Sequence, residues 1–236
     1  PEARHAPGRR RPGCAHRTGL NRPPVSTPEQ EPPNGPATRR ARLVVSYVGS
    51  PFKGFAHNEG VFTVEGELTR AISTVVRQQV ELSIAGRTDA GVHGRGQVVS
   101  CDIPDDTDLD ELVRSVNGMC KPNISVRSAE WVADDFDARF SATWRHYRYL
   151  VLNTPTPDPM LVDRAWHVWQ PLSVPLMNLA CDALMGEQDF TSFCRKPDPM
   201  PGQPPASMKR YVMSAKWTDN GDGTVVFGVG ETSAAH

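Results

Sequence analysis

QVELSIAGRTDAGVHGRGQVVSCDI, residues 79–103, sets two strand-like runs around a glycine-rich loop, and its reading decides the architecture. The β-branched runs predict strands at 81–85 and 97–103. Between them, residues 86–96 hold four glycines, Arg87, Arg95, His93 and a single acid, Asp89. Glycine opens backbone conformations closed to other residues and lets a bulky ligand approach. Arginines on either side of one carboxylate favour its charged form and offer contacts to phosphate. A structural turn whose aspartate accepts backbone hydrogen bonds has the same pattern, so both readings stand at this point.

Working outward, ARLVVSY (41–47) reads as a buried strand that ends in a Gly-Ser-Pro turn. Thr63 is placed to cap a helix over 64–80, with Glu65 and Glu67 in its first turn and Val64, Leu68, Ala71, Ile72, Val75 and Val76 at helical spacing. Thr107 and Asp110 form a capping-box-like opening to a second helix. Its apolar face is Leu109, Leu112, Val113 and Val116, and its expected end lies near Gly118. ISVRSAEWV (124–132) is a strand, and HYRYLVL (146–152) another, with Tyr147, Tyr149 and Val151 on one face and Arg148 and Leu150 on the other. AWHVWQ reads as a strand, 173–186 as a capped helix, and 195–205 as a proline-rich loop. YVMSAKW and TVVFGV read as a hairpin across DNGDG. The order β-α-β-β-α-β, then β-α-β-β, predicts an α+β fold of two ferredoxin-like halves on mostly antiparallel sheets. The expected divisions are a tail at 1–40, a first half at 41–152 carrying the loop, and a second half at 153–236.

The net charge of −1 over 236 residues hides an asymmetry. Residues 1–40 carry eight arginines against three glutamates, with nine prolines and few large apolar residues, which predicts a disordered segment. It reads either as a solvated tail or as an RNA-contacting arm. The remainder is acidic, with Asp105, Asp106, Asp108, Asp110 and Glu111 close together and expected to face away from RNA. Five scattered cysteines with no CxxC pair support neither a zinc site nor a disulfide framework, and a reducing cytoplasm fits. Cys101 and Cys194 read as buried thiols. No apolar run reaches the ~18 residues of a membrane span.

GRTDAGVHG resembles the catalytic signature of the TruA-type tRNA pseudouridine synthases. SYVGSPFKGF, TVEGEL, RFSATWRHYRY and GEQDFTSFC resemble further segments of that family in the same order, over roughly residues 43 to 217. The resemblance implies the pseudouridine synthase fold and a homodimer acting on uridines of the tRNA anticodon arm. It implies no cofactor and no metal, since isomerisation consumes nothing. It makes Asp89 the catalytic carboxylate, either nucleophile or base at the sugar. The target uridine has to leave its stack. Arg87 then either fills the gap or holds a flanking phosphate, or else forms a salt bridge that orients Asp89. Tyr147 matches the tyrosine that stacks on the flipped base, although both Tyr147 and Tyr149 also fit a packed core. Arg95, Arg139, Arg145 and Arg148 are candidate RNA contacts. His93 is expected to pack or hydrogen-bond within the loop.

The family's C-terminal helix, whose basic residue pairs with the catalytic aspartate, has no counterpart before the sequence stops at GVGETSAAH. The expectation is therefore an incomplete second half, with Val226 and Phe227 uncovered. The rival reading is a truncated, catalytically inactive RNA-binding remnant. A third, a metal-dependent hydrolase built on Asp102, Asp105 and His93, has no recognised ligand spacing.

Overall fold

The computed structural model describes residues 37–193 and 207–232. Most of the arginine-rich tail, Cys194 and the 195–205 loop lie outside the described residues. The last residues assigned to the tail do not: Thr38–Arg40 open strand β1 (Thr38–Tyr47).

The first half follows the expected order, β1, α1 (Val64–Val76), β2 (Ser83–Ile84), β3 (Gly94–Pro104), α2 (Leu109–Cys120) and β4 (Ile124–Trp131). Its sheet runs β2-β3-β1-β4, all antiparallel. Alternation along β1 turns Ala41, Leu43, Val45 and Tyr47 to one side. There they pack with Leu68 and Ile72 of α1, Leu112 and Val116 of α2, and Val99, Cys101, Ile103 and Val126 of the flanking strands. Burying each large aliphatic side chain is worth about 1.5–3 kcal/mol relative to exposure, so this layer anchors the half that carries the loop.

Several boundaries differ from the sequence reading, among them β2, expected over 81–85 and reduced to Ser83–Ile84. Helix α1 stops at Val76 because Arg77 takes a left-handed conformation (φ 56°), a common helix terminator. Helix α2 is capped by Asp108, not Thr107; its carboxylate accepts from the N–H groups of Asp110 and Glu111. It also runs through Gly118 to Cys120 and ends where Lys121 becomes extended ahead of Pro122. Strand β3 begins at Gly94, so the last three residues of the glycine-rich stretch belong to the sheet.

After β4 the chain crosses the sheet face that the helices leave open. Arg40 donates to the Phe136 carbonyl at 2.6 Å, and Ser100 Oγ accepts from the N–H of Ala138 at 3.1 Å. Next comes β5 (Trp144–Leu152), which the sequence grouping puts in the first half but which is hydrogen-bonded into the second sheet. That sheet has the order β6-β5-β9-β8-β7, with β6 (Trp166–His167) parallel to β5 and the other pairings antiparallel. Strand β6 keeps only two residues of AWHVWQ. The expected helix at 173–186 is α3 (Val174–Cys181) followed by a 3-10 turn, and β7 (Gly186–Asp189) was not anticipated. Strands β8 (Lys209–Asp219) and β9 (Thr224–Thr232) form the expected hairpin, whose turn uses Gly221 and Gly223 at positive φ. Asn178 of α3 hydrogen-bonds both the N–H and the carbonyl of Trp217, closing the edge of β8 beyond the reach of β7.

Val226 and Phe227 are not left uncovered. Val226 is buried, and the Phe227 ring stacks on Trp217 with centroids 4.9 Å apart. Among the described residues, no helix is long and apolar enough to cross a membrane.

Candidate active site

The loop from Gly86 to His93 is held by its backbone while its acid points outward. Tyr47, at the end of β1, shares a 2.8 Å hydrogen bond between its hydroxyl and that of Thr88. The N–H of Phe55 donates to the Thr88 carbonyl at 3.0 Å, and the N–H of Val92 to the Asp89 carbonyl at 3.2 Å. Gln97 reaches from β3 to the Gly86 carbonyl, and Arg145 from β5 to the Ala85 carbonyl at 2.7 Å. Thr88 and the backbone carbonyl of Asp89 are thus fixed, yet the Asp89 side chain is exposed. Its carboxylate has no hydrogen bond or ion pair with any described residue.

His93 closes the loop. The N–H of Gly49 donates to Nδ1 at 3.2 Å, so Nδ1 is the acceptor and Nε2 carries the proton, which it gives to the Asp163 carbonyl at 2.8 Å. Ser50 donates to the Asp163 carboxylate at 3.1 Å, tying the same segment to the turn after β1. His93 therefore hydrogen-bonds, but to Gly49 and Asp163 outside the loop instead of within it. Of the rival metal set, Asp102 is engaged by Arg40, and among the described residues no group of three His, Cys, Asp or Glu side chains converges.

The arginines divide. Arg87 is exposed and forms no ion pair with Asp89, so the alternative of an orienting salt bridge is absent. Arg145 packs along the start of the loop, near Gly86. Arg95 stands at the root of β3, beside Arg127 of β4, whose guanidinium donates to the Arg95 carbonyl at 3.1 Å. Arg139 lies on the crossover, over the ring of Phe140. Arg148 occupies the β5 face opposite Tyr147. There it lines a groove of about 260 Å³ with His146, Ser214, Lys216, Thr218 and Val226. The structure therefore brings Arg145 and Arg95 to the loop and sets Arg148 on another surface.

Tyr147 and Tyr149 share a face but not an environment. Tyr149 tilts against Phe227, with centroids 6.2 Å apart. Tyr147, 43% exposed, enters no ring pair and neighbours Glu231 and Arg145. Burial, reinforced by the negative charge of Glu231, raises its phenol above the ordinary range, while Arg145 pulls the other way. The phenol thus keeps its proton across neutral pH. Sequence reading missed Glu231 and Arg127. Only the β5–β9 register, which sets Arg145 opposite Glu231, reveals the first. Alternation next to buried Val126 hinted that Arg127 faces outward but not where it reaches.

No protein-family model matches the chain. Curated relatives do. The chain is 41% identical over 155 residues to tRNA pseudouridine synthase A of Rhodopseudomonas palustris, an overlap covering 65% of this chain and 63% of the relative. It is 42% identical over 170 residues to the protein of that name from Streptomyces avermitilis, covering 68% and 59%. For that of Gluconobacter oxydans the identity is 39% over 174 residues, covering 72% and 62%. In each case the chain spans roughly three fifths of the relative's length. With the two mostly antiparallel sheets and the braced GRTDAGVHG loop, the chain is thus similar in sequence, over about three fifths of these relatives' length, to the TruA-type family of tRNA pseudouridine synthases.

Proposed function

We propose that the chain is the loop-bearing part of a tRNA pseudouridine synthase that isomerises uridine to pseudouridine in the anticodon arm, with Asp89 as its catalytic carboxylate. The observation that carries this reading is the contrast at the loop. Its backbone is hydrogen-bonded on several sides, while the carboxylate of Asp89 is exposed and unengaged by any described residue. A structural aspartate in a turn spends its oxygens on nearby N–H groups, as Asp108 and Asp137 do here. Asp89 spends its oxygens on none of the described residues, which leaves them for a substrate.

The reaction breaks the C1′–N1 bond, turns the base and joins C1′ to C5; C5 loses a proton and N1 gains one. Asp89 either attacks C1′ and is later displaced, or removes a proton from the sugar. Tyr147 offers an aromatic face to the extruded base, and its phenol, held neutral, is suited to pass a proton from C5. Stacking of this kind is worth about 1–3 kcal/mol. Arg87, free of Asp89, occupies the space beside the extruded nucleotide or its phosphate. Arg145 positions the loop through the Ala85 carbonyl. Arg139 and Arg148 contact RNA farther away. A homodimer in the cytoplasm belongs to the same reading, with the exposed Leu176, Leu179, Trp166 and Trp169 as surface for subunit contact.

The test is Asp89→Asn, which keeps the shape and removes the charge. Pseudouridine formation in tRNA should fall by about 10²–10⁴-fold or more, the scale for losing an acid–base or nucleophilic group. Stability should stay within about 0.5 kcal/mol, as for other exposed substitutions. A mutant working at the wild-type rate refutes the assignment. A wild-type chain that binds tRNA without forming pseudouridine supports the inactive, RNA-binding alternative.

A further inference from the structure

Two β-bulges flank β1 close to Ser46, one at Ser46 on the β3 side and one between Val44 and Val45 on the β4 side. On β3 the register passes from Val45↔Gln97 to Tyr47↔Gly94, so Arg95 and Gly96 together stand opposite Ser46. On β4 it passes from Val44↔Ser128 to Val45↔Val126, which leaves Arg127 as the extra residue. Bulges re-aim side chains and occur next to active sites. Here they act on one point. Ser46 Oγ donates to the Arg95 carbonyl at 2.8 Å, and the Arg127 guanidinium donates to the same oxygen at 3.1 Å. Ser46 alternates with buried Val45 and Tyr47, so this junction lies on the sheet face without helices, at the root of the Asp89 loop.

The charges around it follow a pattern. Farther along the sheet, Arg40 is held by Asp102 and Arg42 by Glu130; on the helices, Arg70 pairs with Glu67 and Arg114 with Glu111. Among the described residues, neither Arg95 nor Arg127 pairs with an acid. Both are exposed. A guanidinium has five N–H donors in a planar fork suited to phosphate, and Arg127 spends one of them on the Arg95 carbonyl.

We propose that Arg127 and Arg95 form a phosphate-binding fork for the RNA backbone beside the Asp89 loop, with Arg127 as a binding residue that fixes the register of the strand entering the site. The identity of the ligand as RNA rests on the proposed function; the fork itself rests on the two bulges and the unpaired cations. Phosphate contacts of this kind position the substrate without reading its sequence.

The experiment measures tRNA affinity against salt concentration for the full chain carrying Arg127→Gln or Arg127→Lys. Glutamine keeps an N–H donor for the Arg95 carbonyl and removes the charge, so folding is preserved while the fork is lost; lysine keeps the charge. Each neutralised phosphate contributes a slope of about 0.7–0.9 in log affinity against log salt. Arg127→Gln should therefore lower the slope by about that amount, so that its affinity deficit relative to wild type shrinks about threefold between 50 and 200 mM salt. Arg127→Lys should restore the slope. Arg114→Ala, on the exposed face of α2, should leave it unchanged. An unchanged slope for Arg127→Gln, or an equal drop for Arg114→Ala, overturns the proposal, as does salt-independent binding by the wild type. All of these are read from binding alone. Failure of the Asp89 assignment would instead appear as Asp89→Asn turning over normally, whatever the salt slopes show.

Discussion

Gly49→Ala should disable the loop without touching its acid. A methyl group built on Gly49 would stand 2.0 Å from the Val92 carbonyl oxygen, 2.5 Å from its carbon and 2.8 Å from the carbon of Gly91. Ordinary contact begins near 3.4 Å, so the shortfall is about 1.4 Å, and every atom it meets is backbone that cannot rotate aside. Either the turn after β1 or the 91–92 segment has to move, and the bond from the Gly49 N–H to His93 goes with it. Overpacking of this kind costs about 1–3 kcal/mol. For a chain of this length that lowers the melting temperature by about 2–4 °C per kcal/mol. The catalytic loss should be larger, because displacing a reacting group by about 1 Å costs about 10²-fold in rate. Gly96→Ala is the control: nothing lies within 4 Å of its added methyl and its φ is unexceptional, so both stability and turnover should hold. The measurements are chemical denaturation and pseudouridine yield in tRNA, for both variants beside wild type. Wild-type turnover by Gly49→Ala would show that the loop tolerates movement and that its bracing has no part in the chemistry.

Two further predictions concern titration. Burial pushes the Cys101 thiol up to about 12 and the Cys120 thiol to about 11, helped by the charges of Asp102 and Glu67. The unfolded thiols ionise first, so the folded state holds more protons from about pH 9 upward and loses stability as pH rises towards those values. Cys101→Ala should flatten this alkaline decline in urea titrations, and an unaltered decline would count against it. At the acid end, burial raises the Asp137 carboxyl, but hydrogen bonds from Ser83 and the N–H groups of Phe140 and Arg139, with the charge of Arg40, outweigh it and hold it below the usual range. Its contribution is present above the unfolded carboxylate range, about pH 4, and is lost as pH falls through the lower folded value. Asp137→Ala should therefore lower the urea midpoint at pH 7 and shrink the difference from wild type at pH 2; an equal deficit at both would refute the electrostatic account.

The first half was legible because its signals are local and mutually consistent. The Thr63 cap, the helical spacing from Val64 to Val76 and the alternation of β1 each name one structure, and buried Leu43, Val45, Leu68 and Ile72 lie where those periods put them. The misplaced ends had causes that periodicity does not carry. Arg77 ends α1 in a left-handed conformation that glycine or asparagine would have advertised. Strand β7 hides in GEQD, which has no β-branched residue, and exists because it pairs with the far end of β8. Strand β5 could not be assigned to a half from sequence at all, since its partner β9 lies some 80 residues downstream.

The site divides along the same line. Asp89 stands out as a candidate in the sequence because its setting is written in consecutive residues: one acid among glycines, in a loop joining two strands. Arg127 does not, because its meaning depends on two bulges on different strands and on a carbonyl 32 positions away. A strand that kept perfect alternation would send Arg127 outward to solvent like any surface arginine. The register slip at Val44–Val45 turns it across Ser46 instead, and the slip at Val45–Tyr47 brings the Arg95 carbonyl to meet it. Each bulge alone loses local ladder bonds, yet the two fall on adjoining stretches of β1, Val44–Val45 and Val45–Tyr47, beside the loop root. A stability requirement on the sheet would be served better by an acid beside either arginine, as Arg40 and Arg42 have farther up the same sheet. The sheet leaves its cations unneutralised where the candidate catalytic loop begins, and a polyanionic substrate is the partner that arrangement suits.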